Sequence, residues 1–142
     1  MRPILDLFKK RDAATYYLSR SDSVFAALQR LADHNVGAMM VMEDGKLVGV
    51  FSERDYTRKI ALAGRSSKDT LVADIMTSQV LTVSPKSSNH DCMALMREKN
   101  IRHLPVVDGD KVLGMISIRD LMNDIIADHE NTISQLESYI KS

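Results

Sequence analysis

The chain has 142 residues, of which 44% are apolar and 27% charged, with 19 basic and 19 acidic side chains and a formal net charge of zero. That length accommodates one compact domain or two small halves sharing a core. A neutral balance supplies no global field to gather phosphate backbones or anionic lipids, so neither nucleic acid nor membrane is an expected partner.

The N-terminal stretch MRPILDLFKKRD lacks the apolar core of a secretion signal, and no run approaches the roughly 18 apolar residues of a membrane span. A cytoplasmic location is expected; a cleaved organelle-targeting peptide would lie outside this numbering. A short strand is expected around Tyr17 and Leu18. Ser21, Asp22 and Ser23 then offer an N-cap, and Val24, Ala27, Leu28 and Leu31 recur at helical spacing. The apolar run AMMVM, the turn EDGK and the run LVGVFS read as a tight hairpin, which leads directly into a helix over ERDYTRKIALA. AGRSSKDTLVADIMTSQ at 63–79 reads as a connector, a Gly-Arg-Ser-Ser break followed by a short helical turn. The pattern then repeats: a strand at Thr82 and Val83, caps at Ser87 and Ser88, a helix carrying Met93 and Met96, the runs LPVV and VLGMIS around DGDK, and a helix from IRDLMNDIIAD. No Gly or Pro interrupts 118–140. In that stretch Ile126, His129, Ile133, Leu136 and Ile140 alternate by three and four, the spacing of a short coiled-coil seam.

The repetition is literal. At an offset of 65, residues 34–60 fall on 99–125 without a gap, matching Asn35 with Asn100, Val41 with Val106 and Lys46 with Lys111. The heptapeptides GVFSERD and GMISIRD place Gly49, Ser52, Arg54 and Asp55 on Gly114, Ser117, Arg119 and Asp120. Upstream, DLF at 6–8 meets DIM at 74–76 after a three-residue shift. Each copy therefore reads βαββα. Sixty residues alone bury too little apolar surface to offset their ordering entropy. The expected architecture is α/β: two tandem βαββα repeats, 4–66 and 67–128, packed about a pseudo-twofold axis with clefts between them, and a helical tail at 129–142.

For a single Ser-x-x-Asp, a capping box is explanation enough. Two in register invite a second use. A helix N-terminus exposes N–H groups and positive dipole toward a phosphate. A carboxylate one turn in can accept two bonds from a ribose diol, and an adjacent arginine can supply charge-assisted bonds. Gly49 and Gly114, late in their strands, allow another group to approach the backbone.

DIMTSQVLTVSP with ALMREKNIRHLPVVDGDKVLGMISIRDLM resembles the second repeat of a tandem CBS-domain pair, a Bateman module, and LADHNVGAMMVMEDGKLVGVFSERDYTRKI resembles the first. The likeness spans residues 4 to 128. SERDYTRKI with GRSSKDT is similar to small stand-alone members. The resemblance implies sensing of an adenosine ligand, AMP, ADP, ATP, NAD(H) or S-adenosylmethionine, in the inter-repeat clefts, and regulation of a partner protein whose identity is not encoded in the motif. Position by position, it implies ribose contacts for Asp55 and Asp120 with help from Ser52 and Ser117. It implies an adenine wall from Val36–Ala38 (Val36 and Ala38 foremost) and Ile101–His103, with Tyr17, Leu18, Thr82 and Val83. Phosphate contacts fall to Arg102, His103, Arg54 and Arg119, with Arg58 and Lys59 behind them. Arg102-His103-Leu104-Pro105 keeps the family pattern, whereas the first copy has Gly37-Ala38-Met39-Met40. Unequal clefts follow, the better equipped being lined by Ser117, Asp120, Arg102 and His103.

Other chemistry finds little support. Histidines 34, 90, 103 and 129 show no ligand-like spacing, and Cys92 in HDCMALM reads as a buried inert thiol. No Gly-x-Ser-x-Gly, Walker loop or nucleophile–base pattern occurs, so no catalysis is expected. The methionines read as core filler. The expected assembly is a homodimer of four repeats. The alternatives are a ligand-free interaction scaffold and a small nucleotide hydrolase or transferase.

Overall fold

The computed structural model describes residues 3–10 and 16–141. The elements in chain order are α1 (Leu5–Lys10), β1 (Tyr17–Ser19), α2 (Val24–His34), β2 (Ala38–Glu43), β3 (Lys46–Ser52), α3 (Glu53–Tyr56), α4 (Val72–Ile75), α5 (Asn89–Lys99), β4 (His103–Asp108), β5 (Lys111–Ser117) and α6 (Ile118–Lys141). The fold is mixed α/β, built from two repeats as the sequence pattern requires.

The duplication reaches the backbone. Ser23 and Ser88 cap α2 and α5 by accepting a bond from the N–H three residues on, and both helices end at a left-handed asparagine, Asn35 at φ 53 and Asn100 at φ 54. An αL residue at that position lets its N–H satisfy carbonyls of the last turn. The hairpins β2–β3 and β4–β5 are antiparallel, and both carry a register shift at the matched pairs Val41/Met42 and Val106/Val107. In the first hairpin Asp44 (φ 50) and Gly45 (φ 76) form a type I′ turn, whose twist suits the flanking strands. β1 pairs in parallel with β2 through Leu18 and Val41. In the second half the equivalent strand shrinks to one parallel bridge, Val83 to Val106.

One difference from the sequence reading concerns the helix after the first hairpin. The stretch expected to be one α-helix from Glu53 is α only to Tyr56 and becomes a π-turn over Thr57–Ala61, closed by the Leu62 N–H bonding to the Thr57 carbonyl at 3.0 Å. Ile60 is buried in the core from this π-turn. In the second half α6 runs unbroken for 24 residues, and its distal stripe is bare: Ile126 is 51% exposed, and Ile133, Leu136 and Ile140 more so.

There are two cores, each completed by a segment from ahead of the other half. Val72, Ile75 and Met76 of the connector pack with Leu18, Leu31, Val41 and Phe51. Ile4 packs with Cys92, Met96, Leu104, Ile116 and Leu121. Backbone bonds fix both straps, Val72 N–H to Asp22 O at 2.9 Å and Ile4 N–H to Ser87 O at 2.9 Å. Burying these side chains elsewhere than beside their sequence neighbours ties the halves into one unit, and two clefts lie between them.

Candidate functional site: two inter-repeat clefts

The larger cleft, about 860 Å³, opens at the start of α6. Ser117 ends β5 and stands immediately before α6. Its Oγ accepts from the Asp120 N–H at 3.1 Å, and the Asp120 carboxylate accepts from the Ser117 N–H at 2.9 Å. This reciprocal pair satisfies two donors of the helix end and fixes the carboxylate at the cleft wall. Arg102, His103 and Arg119 also face the cleft, with Val36 and Ala38 on the opposite half. At its rim Tyr16 stacks on His34, ring centroids 3.6 Å apart. Burial lowers the pKa of His103 below its ordinary 6.5; Asp120 nearby works against this and Arg102 with it. His103 is therefore a neutral hydrogen-bonding group at pH 7, and the positive charge in the cleft belongs to the two arginines.

The smaller cleft, about 240 Å³, lies at α3. It repeats the capping pair: Asp55 accepts from the Ser52 N–H at 3.0 Å and returns its own N–H to Ser52 Oγ at 3.2 Å. The surroundings differ. Asp55 is only 9% exposed, and it also accepts from Thr77 Oγ1 at 3.3 Å and pairs with Lys59 Nζ at 3.3 Å. Arg54 crosses the module to donate to the Asn100 carbonyl at 2.9 Å. Gly37, Ala38, Arg102 and His103 line both clefts, so one wall serves two spaces. Ligand pockets typically span roughly 300–1,000 Å³, a range that holds the larger cleft and not the smaller.

Both repeats match one known family. A family model described as the CBS domain matches residues 11–62 and 72–127. The chain belongs to the CBS-domain family. It is 38% identical over 138 residues, 94% of this chain and 67% of the relative, to the mitochondrial CBS domain-containing protein CBSX3 of Arabidopsis thaliana. Among solved structures it is similar to a protein with CBS domains from Burkholderia ambifaria, 41% identical with a TM-score of 0.86, covering 89% of this chain and 96% of that one. The CBS domain pair of protein MJ0100, solved with 5′-methylthioadenosine and S-adenosyl-L-methionine, shares the fold at a TM-score of 0.76 and 22% identity over 90% and 98% of the two chains.

Within this CBS pair, the larger cleft gathers Ser117, Arg119, Asp120, Arg102, His103, Val36 and Ala38. The smaller gathers Ser52, Arg54, Asp55, Ile101 and Pro105 along with the shared wall. Each cleft thus joins the acidic motif of one repeat to the strand entry of the other. Tyr17 and Thr82 are not among the residues lining either space. Leu18 is fully buried in the first core and Val83 packs against the second. The residues one position earlier, Tyr16 and Leu81, face the larger and smaller cleft respectively. A one-residue slip in an extended segment turns every side chain to the other face. The matched offset of Tyr16 and Leu81 was a usable signal, since 65 positions separate them too. Lys59 is not a free cation behind the site but is held by Asp55 and by the Ile75 carbonyl at 2.8 Å. Thr77, which touches Asp55, was not legible as a site residue because it lies where the internal register slips.

Proposed function

We propose that this chain is a non-enzymatic regulatory module, two repeats (4–66 and 67–128) with a helical tail (129–142), that binds an adenosine nucleotide in its larger cleft. The observation that carries this reading is the convergence of the Asp120 carboxylate, the N-terminus of a 24-residue helix and two arginines on one cleft of about 860 Å³. The carboxylate suits the vicinal hydroxyls of a ribose, while the helix end and Arg102 and Arg119 suit phosphate. Ala38 and Val36 with Tyr16 supply apolar surface for a base. Binding of adenosine compounds by the CBS pair of MJ0100 supports the ligand class. AMP, ADP, ATP, NAD(H) and S-adenosylmethionine are the candidates.

Because the cleft is walled by both halves, a ligand there favours one relative orientation of the repeats. A partner protein that prefers that orientation would feel a coupling of roughly 1–3 kcal/mol. We further propose a homodimer that covers the bare stripe of α6, checked by light scattering of the full chain against a variant with Ile133→Glu and Leu136→Glu. No helix among the described residues is long and apolar enough to cross a membrane. A cytoplasmic site of action is our reading, and cell fractionation that finds the protein in mitochondria, as the name of the Arabidopsis relative would suggest, counts against it.

The test of ligand class is a melting screen with the candidate compounds. A compound that binds only the folded chain raises the midpoint with concentration, by about 2.7 kcal/mol of added stability at a hundred times its Kd. No shift with any of them at millimolar concentration, or turnover of the compound, would replace this reading with a scaffold or an enzyme respectively.

A further inference from the structure

The two repeats have diverged to opposite charge in the segment that follows each hairpin. At the offset of 65, Arg58, Lys59, Leu62 and Arg65 fall on Asn123, Asp124, Ala127 and Glu130. From 121 to 140 the chain holds four acids, Asp124, Asp128, Glu130 and Glu137, and no Lys or Arg. The equivalent place in the first repeat is cationic.

Both surfaces also expose apolar side chains. In α6, Ile133, Leu136 and Ile140 are all more than half exposed, and helical spacing sets Glu130 and Glu137 along one edge of that stripe. Asp124 is already bonded by Asn89 Nδ2 at 3.0 Å, so the charge beside the stripe is that of Glu130 and Glu137. In the first repeat Leu62, just past the π-turn, is 78% exposed. Arg58 and Arg65 on either side of it are exposed and make no side-chain bond among the described residues. Beyond them Lys68 lies 5.0 Å from the centre of the half-exposed Phe25 ring. Asp69 is the only acid between 58 and 71, so cations dominate this face.

Two copies of α6 packed stripe on stripe would gather acids with no cation from 121 to 140 to answer them. About two heptads are also too few to hold a coiled coil by themselves. Two copies turned so that α6 of each meets the first repeat of the other join acid to base and apolar to apolar. A twofold axis makes that contact twice.

We infer that α6 of each chain docks, across a homodimer, on the cationic surface around Leu62 of the partner subunit. This docking rests on the homodimer proposed above and needs no ligand. Because α6 starts at the larger cleft, the helix that carries Asp120 is the one that reaches the partner.

Sedimentation equilibrium of the full chain tests this with two charge-reversed variants, Arg58→Glu/Arg65→Glu and Glu130→Lys/Glu137→Lys. All four side chains are exposed, so both variants should melt close to the wild type. The wild type should dimerise, less tightly as salt rises. Each variant alone should raise the dimer dissociation constant about 10–100-fold, since two acids and two cations meet at each of two contacts. An equimolar mixture should recover the wild-type constant, because opposite charges then meet at both contacts, and all four substitutions in one chain should do the same. Arg58→Gln/Arg65→Gln serves if the reversal does not fold. A folded Arg58→Glu/Arg65→Glu chain that dimerises like the wild type would overturn the docking and leave a homodimer made through α6 alone. Losses that mixing does not restore would overturn it as well. A wild type that stays monomeric at every concentration would overturn both the docking and the homodimer, and would assign the stripe to a different protein.

Discussion

Gly49→Ala tests how tightly the connector is strapped to the first repeat. A Cβ added at Gly49 would stand 2.6 Å from Sδ and 2.9 Å from Cγ of Met76, and 3.1 Å from the Thr77 carbonyl oxygen. The thioether can rotate away. The carbonyl cannot, because it accepts from the Val50 N–H while the Thr77 N–H donates to Val50 O, both within 3.0 Å. Overpacking of this kind costs about 1–3 kcal/mol. The lower entropy cost of Ala than Gly in a strand returns about 0.5–1 kcal/mol. The net loss, up to about 2.5 kcal/mol, lowers the melting midpoint by up to about 10 °C for a chain of this size. Met76→Ala removes the two nearest atoms at a cost of its own, about 2–5 kcal/mol for a buried methionine. The informative quantity is therefore the cycle: urea denaturation should show Gly49→Ala to be clearly less damaging in the Met76→Ala background than in the wild type. Equal cost in both backgrounds, or no cost in either, would refute the close approach and the strap argued from it.

Three further outcomes follow from the site and the cores. Asp120→Asn keeps an acceptor for the Ser117 N–H but loses the charge, so calorimetry should show nucleotide affinity falling about 10–100-fold, the worth of one charge-assisted bond, with little change in melting; Ser117→Ala should instead cost about 1 kcal/mol of stability through the lost cap. Because burial lowers the pKa of His103 below 6.5, the unfolded chain binds a proton at pH values where the folded chain does not, so the stability tied to its neutral form is complete above pH 6.5 and declines as pH falls below it. Denaturation at a series of pH values should show that decline weakened in His103→Gln, and an NMR titration placing the pKa of His103 at or above 6.5 would contradict the cause assigned. Burial, followed by the charge of Asp91, pushes the Cys92 thiol up to about 11 from 9.0. That rise thins the thiolate about 100-fold before access is considered, so a disulfide reagent should label Cys92 only on unfolding, and prompt labelling of the native chain would show the second core to be open.

Much of this architecture was legible because the chain states it twice. The offset of 65 aligned caps, hairpins and both Ser-x-x-Asp motifs, and the structure repeats even the bulge positions and the left-handed asparagines. What escaped the sequence lies where the copies diverge or where neighbours come from far away. Tyr16 and Leu81 were displaced by one residue because an extended segment of three residues is too short to show its alternation. Thr77 sits beyond the point where the repeat register shifts, so nothing paired it with Asp55. The resemblance put Lys59 behind the phosphate contacts, whereas the structure holds it on Asp55 and the Ile75 carbonyl. Local pattern carried the elements, while contacts between distant segments set the surroundings of each carboxylate.

The most direct test of the adenosine assignment is a crystal structure of the wild-type chain soaked with AMP. The account places the ribose hydroxyls on the Asp120 carboxylate and the phosphate toward Arg102 or Arg119, with Asp55 still bound to Lys59 and Thr77. AMP seated away from Asp120, or a larger cleft that stays empty at saturating AMP and at saturating levels of the other candidates, would contradict it.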